Sequence, residues 1–140
     1  MRTWLGVVSL EHVRRGVHLG IAQIGHGKRA GLARMAEGDT LIYYSPTEHL
    51  GDKVKLSQFT AFGTVCDSEI WQADEGDFRP FRRKVRYESV RTLPLNEASS
   101  QLDLTAQPSW GYQLRLGLIN LTSHDREVLW KLMVESHKAQ

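Results

Sequence analysis

Apolar positions along this chain come in short bursts, each cut off by Gly, Pro or charged residues. Thr3–Ser9 mixes Trp, Leu and Val with Gly and predicts a buried strand. Ser9 then suits an N-cap for a helix over Leu10–Val17 that ends near Gly16 or Gly20. Ile21–Ile24 reads as a brief extended piece, and Ala30–Met35 as a helical turn or two closed at Gly38 by a left-handed cap. Thr40–Tyr44 is rich in strand formers and stops at Ser45-Pro46. Thr47–Lys55 is polar and predicts a surface loop. Gln58–Val65 and Lys84–Val90 alternate as strands do, with Ile70–Ala73 a further strand between them. Pro94–Ala98 looks like a helix start, and Gly117–Leu121 like a last short strand. Thr122 and Asp125 stand at capping-box spacing, opening a C-terminal helix whose Val128, Leu129, Leu132 and Met133 share one face. Strands broken by short helices, without regular βαβ alternation, argue for an α+β fold.

Length sets the domain count. With 140 residues, 41% of them hydrophobic and 24% charged, the chain suits one domain over residues 1–140 with one core. The single Cys66 has no internal partner to oxidise with, so a reducing, cytoplasmic setting is expected. The apolar stretch Trp4–Leu10 ends at Glu11-His12, too early for a signal peptide, and nothing approaches the roughly 20 apolar residues of a membrane span. Net charge is a slight +2, yet it is segregated. Asp67, Glu69, Asp74, Glu75 and Asp77 precede Arg79, Arg82, Arg83, Lys84, Arg86 and Arg91. Such a division can create an electropositive face; a solvated strand-and-loop surface is the alternative.

Candidate chemistry narrows quickly. His12, His18, His26, His49, His124 and His137 are scattered, none at ligand spacing from Cys66 or another His, so no metal site and no cofactor are expected. Ser9 and Ser45 follow strands but lie in no nucleophile elbow. Gly25-His26-Gly27-Lys28 lacks the remaining spacing of a P-loop. Ring binding does better. Trp71, Phe78, Phe81, Trp110 and Tyr112 sit in polar or Gly/Pro-containing surroundings, where an exposed plane can stack on a base for about 1–3 kcal/mol. Gln23, with His26 and Ser45, can read a polar base edge, and Arg82-Arg83 can hold phosphates.

Five pieces of the chain, in order, carry a family likeness. They are Trp4-Leu5-Gly6-Val7-Val8-Ser9 with Glu11-His12-Val13; Ala22-Gln23 through His26-Gly27-Lys28; Met35 with Gly38-Asp39 and Tyr43-Tyr44-Ser45-Pro46; Phe59-Thr60-Ala61-Phe62-Gly63 with Phe81-Arg82-Arg83; and Trp110-Gly111-Tyr112-Gln113-Leu114-Arg115 with Gly117. Together they resemble an EVE domain of the PUA-like superfamily, related to YTH readers of methylated RNA. The resemblance implies a curled, mostly antiparallel sheet or partly open barrel, flanked by short helices, with a pocket on its concave side. It also implies nucleic-acid binding, RNA or DNA, with modified bases as suspected ligands. Carried across, the base-binding candidates are Ser9, Gln23, His26, Lys28, Tyr44, Ser45, Phe59 and Trp110, and the phosphate-binding candidates are Arg82 and Arg83. Tyr43 and Tyr44 alternate in a strand, so one is expected in the pocket, with Tyr44 favoured, and the other in the core.

Two further readings compete with a non-catalytic reader. An enzyme acting on a nucleotide or small molecule would use His26 as general base, with Asp39 and Glu48 nearby in sequence. A protein-interaction module would present the basic stretch to an acidic partner.

Overall fold

The computed structural model describes residues 1–139, the side chain of Ser68 excepted. Its centre is β3 (Thr40–Ser45), buried at every position because both of its faces are covered. Strand β1 (Thr3–Val7) pairs with β3 in parallel, and β7 (Leu118–Leu121) lies antiparallel on the outer side of β1. On its other side β3 pairs with β4 (Gln58–Gln72), which pairs in turn with β5 (Phe81–Tyr87). Two short strands complete the sheet: β2 (Ile21–Ala22) on β5, and β6 (Leu93–Pro94) on β4. The order β2-β5-β4-β3-β1-β7 does not return to its start. This is an α+β fold on an open sheet, mostly antiparallel, with a single parallel pair among the described residues.

Alternation along β1 and β3 divides the core between the two faces. Trp4, Leu41 and Tyr43 face Val13 of α1 (Leu10–Leu19) and Leu32 of α2 (Arg29–Arg34). Leu5, Ile42 and Tyr44 face the other side, toward Leu104 of α3 (Asp103–Ala106) and Leu129 of α5 (Ser123–Leu129). Helix α5 runs on through a π-helical segment, Trp130–Glu135, into a last turn, α6 (Ser136–Lys138). The caps anticipated from sequence are present. Ser9 Oγ accepts from His12 N at 3.4 Å, and Thr122 Oγ1 from Asp125 N at 3.1 Å.

The two strands expected at 58–65 and 70–73 are one strand, β4. Its register against β5 jumps between Val65 and Ile70, so the polar residues there bulge out of the ladder instead of turning the chain. A second irregularity separates the pairs Tyr43↔Ala61 and Tyr44↔Phe59 and leaves Thr60 as the extra residue. The helix expected at Pro94 is a single 3-10 turn, Leu95–Glu97. Trp110–Gln113 is helical (α4).

Gly63 marks the tightest β4–β5 contact. A Cβ there would meet Val85 Cγ1 at 2.7 Å, Tyr87 Cδ1 at 2.9 Å and the Arg86 carbonyl at 3.0 Å. Backbone cannot yield as a flexible side chain does, so Gly63→Ala should cost about 1–3 kcal/mol, read as a lowered thermal midpoint with the fold retained.

Candidate functional site

A groove of about 700 Å³ runs between α1 and the start of β4. Leu10, Val13 and Val17 of α1 form one wall, at the i, i+3, i+7 spacing of a helix face. Leu56, which leads into β4, and Val90, which follows β5, add further apolar surface. Among these aliphatic residues stand Gln58, Thr60 and Thr92, supplying an amide and two hydroxyls. The bulge explains how Thr60 comes to the groove, since an extra residue re-aims its side chain. Its Oγ1 is held 2.8 Å from Ser45 Oγ, which is fully buried. At the mouth Arg14 faces Glu48 across 3.7 Å, both exposed, and His18 stands beside them. A second lobe, of about 470 Å³, shares Val17, Thr60 and Val90 and adds Tyr87, Glu88 and His137.

Aliphatic walls around a band of donors and acceptors suit a flat ring with a polar edge, and the volume lies in the range of small-molecule sites. The comparisons agree with the scaffold. The sequence matches the EVE domain family over residues 2–132. The chain belongs to the EVE domain family. Similar proteins include a UPF0310 protein of Renibacterium salmoninarum, 48% identical over 87% of this chain and 88% of its own length. Another, from Mesorhizobium japonicum, is 43% identical over 93% and 90%. In fold the EVE domain resembles an NMR structure of a Rhodopseudomonas palustris protein, with a TM-score of 0.58 at 15% identity, covering 94% of this chain and 92% of that one. A hypothetical protein from Leishmania major gives 0.57 at 12%, covering 100% and 98%.

The residues singled out from the sequence fall in three places in this EVE domain, and none is a principal groove wall. The first place is the core. Tyr44 and Phe59 are buried edge to face, with centroids 5.4 Å apart. Tyr43 is buried on the opposite face, so the expectation that one of the two tyrosines enters a pocket is corrected: β3 is covered on both sides. Trp110 packs half-buried against the same cluster as Tyr44. Ser45 acts behind the groove, through Thr60, and Ser9 is engaged as the cap of α1.

The second place is a polar cluster at the β2–β5 edge. Gln23 Oε1 accepts from Arg82 Nε at 3.0 Å, and Arg82 Nη2 lies 3.1 Å from Glu75, which Arg15 also contacts. The His12 Nε2 bonds the Gln23 carbonyl. Burial pushes the His12 imidazole below its ordinary range; Arg15 and Arg82 add to this, against the raising effect of the Gln23 carbonyl. Arg82 is thus engaged within the fold, sharing the Glu75 carboxylate with Arg15. The third place is the exposed turn His26–Lys28, where His26 is left-handed at φ 59°.

Arg83 requires the largest correction. It is 2% exposed, and its guanidinium donates to the carbonyls of Leu32 at 2.9 Å, Met35 at 2.5 Å and Asp67 at 2.8 Å. Four of its five N–H groups are engaged within the fold, and burial keeps the guanidinium from a phosphate. Two further cations of the basic stretch are paired, Arg86 with Glu88 at 3.4 Å and Arg91 with Glu97 at 2.6 Å. Of the aromatics expected at the surface, Phe78 and Tyr112 are exposed and neither lines the groove.

Asp39, weighed above as a catalytic carboxylate, is a buried acceptor for Arg2 N, Ala36 N and the Trp4 indole. Asp103, His124 and Asp125 bring ligand atoms within 4.8 Å of one another. Both Asp125 oxygens already accept backbone N–H groups, from Asp103 and Leu104, and His124 Nε2 bonds the Gln101 carbonyl. Among the described residues, no helix is long and apolar enough to cross a membrane.

Proposed function

We propose that this protein is a non-catalytic nucleic-acid-binding domain that takes one base, modified bases included, into the groove between α1 and β4. The observation that carries this reading is the lining itself, with Val13, Val17, Leu56 and Val90 around Gln58, Thr60 and Thr92. The aliphatic residues contact the ring faces; the amide and hydroxyls meet the base edge. Membership of a family commonly associated with nucleic-acid binding supports it. Arg14 and His18 at the mouth, in place of Arg82 and Arg83, meet phosphate in this reading, Arg14 by exchanging its exposed pairing with Glu48. A splayed or extruded base costs a few kcal/mol to unstack, which ring and edge contacts must offset, while cation–phosphate contacts add sequence-independent affinity.

Val17 is 42% exposed and common to both lobes, so a larger side chain there fills the hollow without entering the core. Val17→Trp should weaken oligonucleotide binding at least about tenfold while leaving the thermal midpoint nearly unchanged. Arg82→Ala should leave affinity within about twofold, a factor worth less than one exposed ion pair is usually expected to contribute. Fluorescence anisotropy with single-stranded oligonucleotides, with and without modified cytosine or adenine, measures both. Absence of binding to every oligonucleotide at low salt overturns the proposal.

A further inference from the structure

The connection from β3 to β4 does more than close a turn. Its two ends meet, since Leu56 N donates to the Pro46 carbonyl at 2.7 Å, making segment 46–56 an Ω-loop. One foot is fastened to α1, whose Leu10 and Glu11 N–H groups donate to the Thr47 and Glu48 carbonyls at 3.0 and 2.9 Å. The tip is held by His49 N donating to Asp52 Oδ2 at 3.0 Å and by Asp52 N donating to the His49 carbonyl at 3.2 Å. Gly51, at φ 85°, makes the reversal.

This braced loop holds two large apolar side chains in water: Leu50 is 84% exposed and Val54 81%. Lys53 and Lys55 flank Val54, exposed and without an ion pair among the described residues. The carboxylates nearby are committed, Glu48 to Arg14 at 3.7 Å and Asp52 to His49. Both feet, Glu48 and Leu56, line the groove. The loop therefore stands on the groove wall with an apolar tip and cationic shoulder directed outward.

We infer that loop 46–56 is a wedge for double-stranded nucleic acid. Leu50 and Val54 enter the stack at the position left by a base extruded into the groove, and Lys53 and Lys55 hold the neighbouring phosphates. The inference rests on the groove reading above and adds the substrate's strandedness to it. Geometry and chemistry both favour it. Leu50 lies two positions beyond Glu48 on the wall, a reach of about 7 Å, comparable with two base rises of about 3.4 Å. Apolar wedges beside basic groups are a recurrent means of unstacking a duplex step, whereas a single strand presents no closed stack to open.

The test compares wild type with the double variant Leu50→Ser, Val54→Ser on a duplex containing 2-aminopurine beside the target base, and on its single strand. Both positions are outside the core, so the variant should keep the wild-type melting temperature. Wild type should bind the duplex and raise 2-aminopurine fluorescence. The variant should lose about tenfold or more in duplex affinity, together with the fluorescence rise, while its single-strand affinity stays within about twofold. Lys53→Ala with Lys55→Ala should reduce the salt dependence of duplex binding. Equal losses on duplex and single strand, or no loss on either, overturn the wedge; the latter result is also the one expected if the loop docks on a protein. Wild type that binds single strands but not duplex overturns the wedge and leaves the groove reading standing. Failure to bind either form defeats the groove reading itself and the wedge with it.

Discussion

Replacing Arg83 by Ala should lower the unfolding free energy by about 3–5 kcal/mol, although the substitution lies on a strand rich in surface charge. The guanidinium joins α2, β4 and β5. It donates to Leu32 O and Met35 O at the C-terminal end of α2 and to Asp67 O in the β4 bulge. Carbonyls at a helix C-terminus have no partner within the helix. Deleting the side chain leaves Leu32 O with only the Met35 N–H at 3.3 Å, removes the guanidinium from Met35 O and Asp67 O at about 1–3 kcal/mol for each group left unpaired, and opens a cavity. Arg83→Lys keeps the charge but one ammonium cannot span the fork, so a substantial part of the loss should remain. Urea denaturation of the two variants measures this. A loss below about 1 kcal/mol for Arg83→Ala would show that the staple is dispensable.

Asp39→Asn should cost about 2–4 kcal/mol at neutral pH, and the difference from wild type should shrink in acid. Burial alone would raise the Asp39 carboxyl. The N–H groups of Arg2 and Ala36, the Trp4 indole and the N-terminal charge outweigh it and hold the carboxyl below its ordinary range. A depressed folded-state value means that the unfolded chain binds the proton first. The stabilisation is therefore fully present above the unfolded value, about 3.9, and is lost as pH falls through the folded one. Asn lacks this dependence and also turns its NH2 toward either the Arg2 N–H or the Trp4 and Ala36 N–H groups, which had acceptors at the carboxylate. Denaturation midpoints of the two proteins between pH 7 and pH 3 test the sign: curves that diverge on acidification would contradict it.

What sequence reading captured and what it missed have different physical origins. Ser9, Thr122 and the strand Thr40–Tyr44 were legible because capping and strand formation depend on neighbours close along the chain. The family was legible because its motifs are spread over the whole chain. Strand β4 was read as two pieces, Gln58–Val65 and Ile70–Ala73, whereas the chain bulges between them and resumes pairing at Ile70. Arg83 was misread because its partners are main-chain carbonyls, which every residue has and no sequence displays. The same holds for the groove. Val13 and Val17 show the periodicity of a core-facing helix, and only their distance from Gln58, Thr60 and Thr92 along the chain, closed by the fold, turns that face into a wall. Arg82 and Gln23, expected at a phosphate and at a base edge, bond each other.

The place of β1, inserted between β3 and β7, has a consequence for synthesis. During synthesis β1 can pair with β3 while its other edge still faces solvent, because Leu118–Leu121 follows much later in the chain. An open edge of this kind invites pairing with a neighbouring nascent chain. That edge is closed only when β7 docks on it.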